Sequence, residues 1–63
     1  MTPRTLKRLR RELGLSQAKF ADLVGVTANT VARWERGELG MRPTTGRLIE
    51  ILAEQARTEK GRH

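Results

Sequence analysis

The sequence predicts an all-α fold: a compact bundle of four or five short helices. Three observations predict it. Apolar residues recur every three or four positions and nowhere alternate, and runs of β-branched residues are absent, so strands find no support. Gly14, Gly25, Gly37 and Pro43 fall between the periodic segments and cut the chain into pieces of helix length. With 63 residues the chain makes one small domain whose core can bury little apolar surface. Residues 1–57 are expected to form that domain and 58–63 a frayed polar tail.

The first helix is expected over 3–13. Thr2 is its N-cap, Pro3 suits the first helical position, and Leu6, Leu9 and Leu13 line one face. The second is expected over 17–24, capped by Ser16, with Leu15 and Phe20 forming a hydrophobic staple across the cap. Lys19 occupies the place where a capping box needs Glu or Gln, so that half of the signature is missing. The third is expected over 28–36, capped by Thr27, with Val26 and Val31 as a second staple and Gly37 as its left-handed stop. After the loop GELGMRP, a fourth helix starts at Thr44 or Thr45 and runs to Arg57. Its wide apolar stripe holds Leu48, Ile49, Ile51, Leu52 and Ala56. Leu48 and Leu52 are expected in the core, with Ile49 or Ile51 left over.

Thirteen Lys and Arg against seven Asp and Glu give a formal net charge of +6. Arg4, Lys7, Arg8, Arg10 and Arg11 crowd the first eleven residues with no acid among them. Such an excess attracts polyanions, nucleic acid first and an anionic membrane second. Membrane-surface binding by the first helix fits poorly, because its three leucines are all needed by the core. No apolar run is long enough to span a bilayer or to act as a secretory signal, so the cytoplasm is the expected location. The chain has no cysteine and one terminal histidine, His63, and no carboxylate pair can be placed in a pocket. Enzyme chemistry, a metal site and a cofactor therefore have no candidate residues.

The link between the second and third helices, Gly25-Val26-Thr27, is too short for anything but a steep crossing, which is the geometry of a helix-turn-helix. A steep crossing needs a small residue at the closest approach, a residue able to take φ > 0 at the turn, and a branched apolar residue inside the angle. Ala21, Gly25 and Val31 meet these needs, and Phe20, Val24, Val26 and Trp34 complete an apolar inner side. Trp34 is placed in the core and not on a base-stacking surface.

The stretch LGLSQAKFADLVGVTANTVARWERG resembles the lambda-repressor-like helix-turn-helix family, the Cro/C1 or XRE type, in its LGLSQ, Phe20-Ala21, LVGV and WERG pieces. The likeness takes in the basic first helix and Arg42-Pro43, and so most of residues 5–53. It implies a lambda-repressor-like bundle, double-stranded DNA as ligand, and a phosphate contact at Gln17. The family usually has a fifth helix that completes the core or the dimer interface. Here one helical segment follows Pro43, so the family's dimer mode does not carry over.

On a helical wheel, Asn29, Arg33 and Arg36 point away from Val31 and Trp34, with Ala32 beside them and Ala28 and Thr30 at the edges. Asn suits adenine N6 and N7, Arg suits guanine O6 and N7, and Ala28 and the Thr30 methyl suit a thymine methyl. The expected base readers are Gln17, Ala28, Asn29, Thr30 and Arg33. The expected phosphate contacts are Arg10, Ser16, Gln17, Thr27, Arg36, Arg42 and Arg47, several of them at helix N-termini where free N–H groups favour anions. Gln17 is also placed to brace the third helix. Arg4, Lys7, Arg8 and Arg11 supply field. Arg10 falls within the leucine stripe of its helix and Glu35 beside Val31 and Trp34, so the two are expected to form a partly buried ion pair. The lambdoid phage repressors imply a similar one.

The expected function is that of a sequence-specific transcriptional regulator, a repressor encoded by a bacterium or phage. It would bind a pseudo-palindromic operator as a weak, DNA-assisted dimer, because one half-site gives too little discrimination. Surplus apolar surface on the fourth helix, with Leu39 and Met41, would form the contact. The alternative is an antitoxin-type interaction module that also binds its own operator, with Glu50 and Glu54 facing a basic protein partner.

Overall fold

The computed structural model describes residues 1–60. They form α1 (Pro3–Glu12), α2 (Gln17–Val24), α3 (Ala28–Glu35) and α4 (Pro43–Lys60), with no strand and no fifth helix among them. The first three helices start on the expected caps. Thr2 Oγ1 accepts from the Thr5 N–H, Ser16 Oγ from the Lys19 N–H, and Thr27 Oγ1 from the Thr30 N–H, each at 3.1 Å. Each hydroxyl satisfies a donor that the first turn leaves without a partner.

The α2–α3 turn depends on Gly25, whose φ is +88°. That conformation lets the N–H groups of Gly25 and Val26 both bond the Ala21 carbonyl, at 2.8 and 3.0 Å. A Cβ at Gly25 would meet nothing within 4 Å, so the glycine is required by its dihedral angle and not by space. Gly25 itself is exposed, at the turn, where the need for a positive φ puts it. Gly14 and Gly37 also have positive φ.

The core takes Leu6 and Leu9 from α1, Phe20 and Ala21 from α2, Val31 and Trp34 from α3, and Ile49 and Ala53 from α4. Val31 lies at its centre, with no exposed surface. Leu13, Leu15, Val24, Val26, Leu39 and Met41 are half-buried and pack against it. Both staple residues, Leu15 and Val26, thus cover the core as expected.

The fourth helix departs from expectation in two ways. It begins at Pro43, the Gly46 N–H bonding the Arg42 carbonyl, and it continues to Lys60, so the first part of the expected tail is helical. Arg57 donates to Glu12 at 2.7 Å and the Thr58 hydroxyl to the Glu54 carbonyl at 3.0 Å, which ties this last stretch to α1 and to itself. His63 lies outside the described residues. The inward face is also a different one. Ile49 and Ala53 are buried, whereas Leu48 is 43% and Ile51 47% exposed and Leu52 is half-buried. Gly46, likewise buried, and Ala53 flank Ile49 one turn on either side. Ile49 is thus the large side chain of α4 that turns fully inward. No helix among the described residues is long and apolar enough to cross a membrane.

Candidate nucleic-acid interface

The outer face of α3 is set by what holds its inner face. Val31 and Trp34 anchor it in the core, and Glu35 ties it to both neighbouring helices. Arg10 of α1 donates its Nε to Glu35 Oε2 at 2.7 Å and a terminal nitrogen to Oε1 at 3.1 Å. Another terminal nitrogen of Arg10 donates to the Leu15 carbonyl at 2.9 Å, in the link between α1 and α2. Gln17, the first residue of α2, donates its amide to Glu35 Oε1 at 3.3 Å. The expected Arg10–Glu35 pair is therefore present, with side chains 13% and 5% exposed, and the expected brace from Gln17 to α3 runs through the same carboxylate.

Removal from water raises the Glu35 pKa, but the hydrogen bonds from Arg10 and Gln17, the Arg10 charge and the nearby Lys7 charge outweigh that and hold it below the ordinary value. The hydrogen bond to Glu35 raises Arg10 further against partial desolvation. Both groups stay charged at neutral pH, and the two-point geometry fixes the rotation of α3 about its axis.

Held this way, α3 presents Ala28 and Asn29 exposed and Thr30, Ala32 and Arg33 at partial exposure, with no acid on that face. The Thr30 hydroxyl lies 2.9 Å from the Thr27 hydroxyl, which leaves its methyl group as the outward contact. Ser16 and Thr27 are exposed at the N-termini of α2 and α3 and act as caps. Their hydroxyls hold the first-turn N–H groups in the geometry that suits an anion. Arg42 and Arg47 are exposed and, among the described residues, take part in no ion pair, as is true of Arg33. Arg4, Lys7, Arg8 and Arg11 are exposed on the outside of α1.

Arg36 stands differently. Its guanidinium is engaged by Glu38, in the loop after α3, through both its Nε and a terminal nitrogen. The hydrogen bond from Arg36 holds the Glu38 carboxyl below its ordinary value, with desolvation opposing and the Arg36 and Arg33 charges assisting. A phosphate reaching Arg36 meets this carboxylate beside it and must compete with it for the guanidinium. Glu38 has no mark in the sequence that singles it out. Its position three residues past the helix end lies outside any helical periodicity, and the one available signal is an acid in an otherwise basic stretch.

No curated protein and no solved structure matches the chain. A family described as Helix-turn-helix matches residues 6–54, from α1 well into α4 and across the whole α2–turn–α3 unit described above. The chain belongs to the helix-turn-helix family of Cro/C1 (XRE) type, a family of DNA-binding regulatory domains and not of enzymes.

Proposed function

We propose that this protein is a sequence-specific transcriptional repressor that reads double-stranded DNA with α3 in the major groove. The observation that carries the reading is the outer face of α3. Asn29 and Arg33 sit between small methyl-bearing residues, no acid intervenes, and the Arg10–Glu35–Gln17 network holds the helix from behind. Asn29 is assigned to adenine and Arg33 to guanine, with Ala28 and Thr30 against thymine methyl groups. Gln17 sits at the groove edge, where its side chain serves α3 and its backbone N–H a phosphate. The caps Ser16 and Thr27, with Arg42 and the remaining N–H groups of Arg10, are assigned to phosphates along the groove. Arg36 joins them once freed from Glu38.

Four side chains on one short helix read only a few base pairs. Two copies on a pseudo-palindrome, with their α3 helices one DNA turn apart, ~34 Å, supply the missing discrimination. Such a protein works in the compartment that holds the operator, the bacterial cytoplasm. Selection of bound sequences from a random DNA library tests this reading. The expected result is a two-fold symmetric motif with half-sites about one helical turn apart. Recovery of no common sequence would reject it.

A second reading, an interaction module that pairs with a basic protein and represses its own operon, is favoured by exposed Glu50 and Glu54 on α4. A stable protein partner that survives Arg33→Glu would support it.

A further inference from the structure

Among the described residues, α4 leaves an apolar stripe uncovered. Taking Leu48 as the origin of a helical wheel, Gln55, Leu52 and Ile51 lie within about 60° of it, whereas buried Ile49 and Ala53 lie about 100° and 140° away. Leu48 and Ile51, at 43% and 47% exposure, are therefore a second stripe and not the rim of the core face.

The charges beside that stripe are self-complementary. Arg47 and Glu54 are seven residues apart, hence on the same flank, next to Ile51. Arg47 has no ion pair among the described residues. Glu54 has only a 3.9 Å approach from Arg57, which is itself held at 2.7 Å by Glu12. In two antiparallel copies of this helix, residues on the same flank meet across the two-fold axis, so each Arg47 faces the other chain's Glu54. A parallel pairing would instead set Glu54 against Glu59 of the other chain, acid against acid, and would align the two helix dipoles.

We propose that α4 is the self-association surface: two copies pair antiparallel along Leu48, Ile51, Leu52 and Gln55, locked by two symmetric Arg47–Glu54 contacts. This rests on the two-copy reading of the operator and gives it a partner and a register. It also assigns Arg47 to the interface, leaving Arg42 as the phosphate contact at the start of α4. The surface is small, so association is weak in free solution and gains on DNA, where two half-sites hold the copies close together.

Charge exchange on the full chain tests it, with sedimentation equilibrium as the readout and helical circular dichroism to confirm the fold. Arg47→Glu and Glu54→Arg each turn two attractive contacts into two repulsive ones, and each should weaken self-association by about tenfold. The double exchange restores both contacts and should return within about threefold of wild type. A double variant as weak as either single one overturns the proposal. Because the chain has no cysteine, a second readout is clean. Ile51→Cys, close to the axis, should oxidise to a linked dimer about tenfold faster than the equally exposed Leu23→Cys, and equal rates overturn the register. DNA binding is scored separately on an isolated half-site. Failed charge rescue with half-site binding intact rejects this interface alone. Charge rescue without half-site binding rejects the DNA reading and leaves the interface standing.

Discussion

At the residue scale, Glu35 accepts hydrogen bonds from Arg10 and Gln17 where three helices meet: α1, α2 and the helix assigned to the groove. Replacing it by Gln leaves Arg10 largely buried without its counter-charge and should cost about 2–3 kcal/mol in denaturant unfolding. The pH dependence follows from the same contacts. The folded pKa of Glu35 lies below the ordinary 4.5, so its contribution is fully present above 4.5 and is lost as pH falls through the lower folded value. Wild type and Glu35→Gln should therefore differ in stability at neutral pH and converge in acid. A gap that stays constant down to about pH 2 would count against the ion pair. This pair was legible in the sequence because a charge on an apolar stripe must find an opposite charge, and only one acid lay on the inner side of the third helix. Glu38 was not legible, since nothing in a loop fixes where a carboxylate points.

At the scale of elements, two glycines make opposite predictions. Gly25 holds φ at +88° with open space around it, so Gly25→Ala should destabilise by about 1–2 kcal/mol through backbone strain alone, with Gly25→Asn in between. Gly46 lies in the first turn of α4 without positive φ, and an added Cβ would meet Met1 and Met41 at the ordinary distances of 3.6 and 3.7 Å. Gly46→Ala should stabilise by about 0.5–1 kcal/mol, read as a higher melting temperature. The boundaries of α1, α2 and α3 were legible because caps and glycine stops are local chemistry. The rotation of α4 was not. Leu48 and Leu52 outweigh Ile49 and Ala53 in apolar bulk, and sequence periodicity ranks faces by bulk. What decides is the fit against three helices already packed, where Ile49 and Ala53 are buried and the bulkier Leu48 is not. The exposed stripe on α4 follows from the same rotation.

For the whole molecule, charge and shape separate into two roles. The excess of six positive charges lies on α1 and around the start of α4, and sets how strongly any DNA is held. Arg42→Gln should weaken binding to all sequences alike and reduce the slope of log affinity against log salt by about 0.9. An unchanged slope would remove Arg42 from the phosphate contacts. Choice between sequences rests on the few outward groups of α3, and those are held by contacts that Arg33 does not make. The most direct measurement is therefore the affinity of wild type and Arg33→Glu for the selected operator and for unrelated DNA, with thermal melts of both proteins. Wild type should prefer the operator, and Arg33→Glu should melt like wild type yet lose at least about a hundredfold on the operator, with that preference gone. An Arg33→Glu protein that still binds the operator as wild type does would show that α3 is not the reader.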